Sequence, residues 1–104
     1  MPTFEDVHGR SIRVTEERLE HLETSHPEMR EQLERLKETL RDPERVVRSR
    51  TDPDVELFYR RFGETPVTEK FLCAVVKSGD LDAFLVTAYF TDSAKRGDML
   101  WERT

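Results

Sequence analysis

Between residues 40 and 46 the spacing of apolar side chains changes from helical to strand-like, and no other feature constrains the fold as tightly. Before the change, Met29, Leu33, Leu36 and Leu40 recur at intervals of four, three and four, the pattern of one helical face. Asp42-Pro43 ends that segment, because the residue before a proline disfavours the helical region. After it, Val46 and Val47 mark a short strand, and Asp52-Pro53-Asp54 makes a turn. Residues 55–62 (VELFYRRF), 69–77 (EKFLCAVVK) and 82–91 (DAFLVTAYFT) then read as strands, separated by turns at Gly63–Pro66 and Ser78-Gly79-Asp80. Strands in direct succession with short turns pair antiparallel. The expected fold is α+β, with two N-terminal helices packed on one face of an antiparallel sheet of four strands or slightly more. One domain, residues 1–104, should hold it, since a chain of this length builds one compact core.

Ahead of the helices, residues 4–14 read as a hairpin turning at His8-Gly9-Arg10, with Ser11-Ile12-Arg13-Val14 alternating polar and apolar. Thr15 is placed to cap a first helix, with Glu16 and Glu17 in its first turn, where the helix dipole favours negative charge. Ser25-His26-Pro27-Glu28 fits the S-x-x-E capping box, so a second helix is expected to start there. The tail KRGDMLWER is expected to add an edge strand or a last turn, with Trp101 over the core.

The strands differ in what their faces carry. In strand 82–91, Phe84, Val86, Ala88 and Phe90 share one apolar face, while Leu85, Thr87, Tyr89 and Thr91 share a face rich in hydroxyls. In strand 69–77, Phe71, Cys73 and Val75 oppose Leu72, Ala74 and Val76, so both faces are apolar and the strand should be central. Its second face needs cover, from the hairpin, from the tail or from a second subunit in a homodimer. Arg60 and Arg61 point to opposite faces.

Charge and composition narrow the function classes. The chain has 22 acidic residues against 17 basic ones, a mild argument against a polyanion ligand. A local basic face matters more than the sum: the acidic residues gather in 16–56, whereas residues 60–61, 70, 77 and 95–96 are basic. The lone Cys73 forms no internal disulfide and supplies no cysteine-based metal framework. His21 and His26 are five apart, not at the four-residue spacing of a helical metal pair, so neither metal nor other cofactor is expected. No stretch approaches the roughly 20 apolar residues needed to cross a bilayer, and MPTFEDVHGR has no apolar signal segment. A cytoplasmic setting without a membrane partner is expected.

Four segments carry a family resemblance. They are EERLEHLETSHPEM (16–29), DPDVELFYRRF (52–62), FLCAVV (71–76) and TAYFTDSAKRGDMLW (87–101). In order and spacing, over about residues 11–102, they resemble a phage-associated nuclease family of the barnase–EndoU–colicin–RelE-like group of ribonuclease folds. The resemblance implies RNA cleavage without metal, in toxin or phage-conflict settings, with a cognate antitoxin or immunity protein as a further partner. Members of the group attack the phosphodiester with the RNA's own 2′-hydroxyl. That step needs a base, an acid and groups that offset phosphorane charge. The resemblance implies His21 or His26 as acid/base, since an imidazole titrates near neutrality. It implies Arg60 for phosphate charge, Thr87 and Tyr89 as donors, and Lys95 and Arg96 as backbone contacts. The face pattern favours His26, because only a histidine at the helix junction, at a sheet edge, meets Thr87 and Tyr89. Two other readings stand beside this one: an inactive relative that binds protein or nucleic acid, and a small dimeric structural protein. RNA degradation in EDTA that depends on His26 and Arg60 separates them.

Overall fold

The computed structural model describes residues 3–65, 69–80, 82–95 and 97–103. Arg96, and Pro66 of the expected Gly63–Pro66 turn, lie outside the described residues. Strands β1 (Thr3–Glu5) and β2 (Ser11–Arg13) form the N-terminal hairpin, turning through Gly9 at φ +81°. The Asp6 carboxylate accepts the backbone N–H groups of His8 and Arg10, and Arg10 bridges Asp6 to Glu56, clamping the hairpin to the sheet.

Thr15 caps helix α1 (Glu16–Ser25): its hydroxyl accepts the Arg18 N–H at 3.1 Å. The expected capping box does not form. Ser25 is the last residue of α1 and cannot also adopt the extended backbone of a cap, so Pro27–Met29 makes only a single 3₁₀ turn. Glu31 then takes the left-handed region at φ 61°, and helix α2 begins afresh over Leu33–Arg41. The apolar stripe is split accordingly. Met29, Leu36 and Leu40 are buried, whereas Leu33 is 41% exposed.

The remaining strands are β3 (Arg45–Arg48), β4 (Val55–Phe62), β5 (Lys70–Ser78), β6 (Ala83–Thr91) and β7 (Asp98–Glu102). Their order is β1-β2-β6-β5-β4-β3-β7, with β5 in the middle, as two apolar faces require. The sheet is thus larger than four strands, and it is mixed. β2 runs parallel to β6, pairing Ile12 with Ala83 and Arg13 with Phe84. A parallel neighbour needs a long crossover, and both helices and three strands intervene between β2 and β6.

One side of the sheet forms the main core. Leu22, Met29, Leu36 and Leu40 from the helical segment pack with Val46, Phe58, Leu72, Ala74, Val76, Leu85 and Ala88, and Trp101 packs against this cluster. Each fully buried leucine contributes about 2 kcal/mol.

Strand β6 departs from strict alternation. Val75 pairs with Thr87 but Val76 with Leu85, which leaves Val86 in a bulge. The extra residue flips the strand's first half: Ala83 and Leu85, not Phe84 and Val86, join the core beside Ala88. Phe84 instead lies under the Arg13 guanidinium at 5.8 Å. Thr87 and Tyr89 keep the second face.

From β6 the chain must pass β5, β4 and β3 to reach β7. Four interstrand steps span about 19 Å, and the seven steps from Thr91 to Asp98 reach at most about 25 Å, so this strap has little slack. It passes the second face, where Ala94 packs and the Lys95 N–H meets the Tyr59 hydroxyl at 3.0 Å. Gly97 fits because it has no side chain: a Cβ there would strike the Arg48 carbonyl oxygen.

Candidate active site on the open sheet face

Alternation along four strands builds one row across the second face. Arg45 of β3 stands opposite Tyr59 of β4, Tyr59 opposite Cys73 of β5, and Cys73 opposite Tyr89 of β6. Val47, Leu57, Val75 and Thr87 form the adjoining row. Tyr59 and Cys73 are fully buried, while Thr87 and Tyr89 are half-buried.

The three ionisable groups at the centre of the row stay neutral. Burial pushes the Cys73 thiol up to about 11, with hydrogen bonds to Tyr89 and Tyr59 pulling the other way. A protonated, enclosed thiol is no nucleophile. Burial, reinforced by neighbouring Cys73, also raises the phenols of Tyr59 and Tyr89 well above their ordinary range. Each remains an O–H donor at any physiological pH.

His26 reaches this face around an edge. Its backbone N–H closes α1 on the Leu22 carbonyl at 2.7 Å, and the following proline holds it out of helical conformation. Strand β2 pairs only with Ala83 and Phe84, so the rest of that β6 edge is uncovered by a strand. There the His26 ring lies 5.7 Å from the Tyr89 ring, tilted by 34°, with Nδ1 3.9 Å from a Glu28 carboxylate oxygen.

The other expected site residues divide. Lys95 is exposed and held over the row through its backbone bond to Tyr59. His21 is exposed on α1 and borders a shallow recess with Thr15, Glu17 and Arg18. Arg60 stands on the helix side of the sheet, away from His26 and Tyr89. Its guanidinium binds Glu38 at 2.8 Å, the Asp42 carboxylate at 3.3 Å and the Asp42 carbonyl at 2.7 Å, tying the end of α2 to β4. Alternation decides this, because Arg60 follows Phe58 and precedes Phe62, both of which face the helices. Arg61, on the open side, pairs with Glu69 and rests over the Phe71 ring at 5.8 Å.

Arg45 and Tyr59 escaped the sequence reading. A signal existed for Arg45: with Val46 in the core, its neighbour must face away. The Arg45 Nε is buried and has no hydrogen-bond partner among the described residues. Among those residues, no three His, Cys, Asp or Glu side chains gather closely enough to hold a metal ion.

The acidity of the chain is segregated. Residues 16–44 hold ten acidic and five basic side chains, the whole of the net charge of −5, and the rest of the chain balances. The surplus that argued against a polyanion thus falls in the helical segment.

Over residues 1–102 the chain matches the family described as phage-Barnase-EndoU-ColicinE5/D-RelE like nuclease2. The chain belongs to this nuclease family. The match takes in the N-terminal hairpin as well as the segments that carried the resemblance. No curated protein and no solved structure matches the chain. No helix among the described residues of this family member is long and apolar enough to cross a membrane.

Proposed function

We propose that this nuclease cleaves RNA on the open sheet face, without a metal ion, by directing the RNA's own 2′-hydroxyl at the adjacent phosphate. The observation that carries the reading is the approach of His26 to Tyr89 around the free edge of β6. It brings a proton acceptor to a face of neutral donors and cations. In this reading His26 takes the 2′-hydroxyl proton as the O2′–P bond forms. The P–O5′ bond then breaks, and the departing 5′-oxygen takes a proton from solvent, leaving a 2′,3′-cyclic phosphate. Arg45 and Lys95 offset the phosphorane charge, with Arg96 beside Lys95 in sequence, while Tyr89 and Thr87 donate to phosphate oxygens. His21 and Arg60 have no part. Unrestrained RNA cleavage harms the producing cell, so a toxin with a cognate antitoxin or immunity protein is the setting that fits.

The test is cleavage of a labelled RNA in EDTA. Wild-type protein should give cyclic-phosphate ends, His26→Ala should lower the rate by roughly 10²–10⁴-fold, and a 2′-O-methyl substrate should stay intact. Intact RNA at micromolar wild-type protein, or a His26→Ala variant of full activity, would overturn the reading.

A further inference from the structure

The helical layer carries a feature that RNA cleavage leaves unused. Where the left-handed turn at Glu31 breaks the helical path, α1 and α2 part to form a cavity of about 270 Å³. Its lining includes Leu19, Leu22, Leu33 and Leu36, with Glu23 and Glu31 among the polar lining residues. At 41% exposure Leu33 is one of two large apolar side chains that the described residues leave exposed. The non-glycine left-handed turn costs about 1–2 kcal/mol, and such outliers persist where the surrounding structure holds them.

The charged residues of the lining are both acidic. Glu16, Glu17, Glu20, Glu23 and Glu31 make no ion pair among the described residues, whereas Glu38, Asp42, Asp52, Glu56 and Glu69 all do. An apolar slot with uncompensated carboxylates calls for an apolar anchor flanked by cations. The cavity is smaller than the roughly 300–1,000 Å³ of ordinary small-molecule pockets, a size suited to one or two side chains. With ten acidic side chains against five basic ones, residues 16–44 disfavour RNA and a second copy of the same segment as the occupant.

We propose that the α1–α2 groove docks a basic protein segment, an amphipathic helix that inserts apolar side chains beside Leu33 and sets Lys or Arg against Glu23 and Glu31. The groove lies on the helical layer and Tyr59 and Tyr89 on the opposite side of the sheet, so an occupant there leaves the open face free. The inference does not depend on the RNA-cleavage reading.

Fluorescence anisotropy with the full chain tests it. The probe is a labelled synthetic helix of leucine and lysine with one apolar face, and the control is a scrambled peptide of the same composition. The amphipathic peptide should bind and the scrambled one should bind at least about tenfold more weakly. Leu33→Ser and the pair Glu23→Gln with Glu31→Gln should each weaken binding at least about tenfold without lowering the melting temperature. Added salt should weaken it as well. No binding, equal binding of the scrambled peptide, or equal binding by the variants would overturn the proposal. Sedimentation showing this surface buried in a dimer that Leu33→Ser dissolves would also overturn it.

Discussion

The two faces of the sheet come from the same alternating strands yet carry opposite chemistry. On the helix side, Arg60 is held by Glu38 and Asp42, and the neighbouring segment 16–44 holds the chain's net charge of −5. On the open side, neutral phenols and a thiol sit in line between the cation of Arg45 and the ring of His26. Net charge therefore says little about what this nuclease grips. What matters is where the surplus carboxylates lie, on the helical segment and not on the row of Tyr59, Cys73 and Tyr89.

Several substitutions would break or sharpen this contrast. The largest effect is expected from His26→Ala, a loss of two to four decades in cleavage rate, or roughly 3–5 kcal/mol of barrier. Circular dichroism should show the variant folded, because the helix closes through the His26 backbone and not its ring. Next comes Gly97→Ala. Its Cβ meets the Arg48 carbonyl, so the strap must shift, at a cost of about 2–3 kcal/mol measured by denaturant unfolding. Cleavage should fall as well, because Lys95 rides on the same strap.

Arg60→Ala should cost about 1 kcal/mol of stability, since its partners Glu38 and Asp42 are 48% and 60% exposed, and should leave the cleavage rate of folded protein unchanged. Abolished cleavage with intact fold would erase the distinction between the faces. The open face should also set the alkaline limit of stability. The folded Cys73 thiol, raised to about 11, ionises at higher pH than in the unfolded chain, so unfolding releases a proton there. Its stabilising contribution is complete below about pH 9 and is lost as pH rises through about 11; Tyr59 and Tyr89 act in the same direction at higher pH. Urea titrations at pH 8, 9 and 10 should show a falling midpoint, which Cys73→Ala makes shallower. The smallest effect is a gain: Glu31→Gly should stabilise by about 0.5–1 kcal/mol by relieving the left-handed turn.

Local rules made part of this molecule legible. Val55–Phe62 begins and ends where the residue pattern starts and stops, and Thr15 caps as its position indicates. The two-faced pattern of residues 69–77 identified the central strand, which runs over Lys70–Ser78. The meeting of His26 with Tyr89 was legible because Pro27 fixes a junction and the hydroxyl face lies away from the helices. Features that depend on a distant partner were not. The bulge at Val86 exists only against Val75 and Val76, and nothing in DAFLVTAYFT marks it. The parallel pairing of β2 with β6 joins residues about seventy apart. The hold of Glu38 and Asp42 on Arg60 depends on where α2 ends, and the S-x-x-E pattern at Ser25 gives no sign of the break at Glu31. Arg45 and Tyr59 become a row only once the register is known.

Amide chemical-shift mapping with a non-cleavable RNA, methylated at its 2′-hydroxyls, tests the division between the faces most directly. Shifts are expected at Tyr59, Cys73, Tyr89, Lys95 and His26, with α2 unaffected. Shifts centred on α1 and α2, or none on the open face, would contradict it.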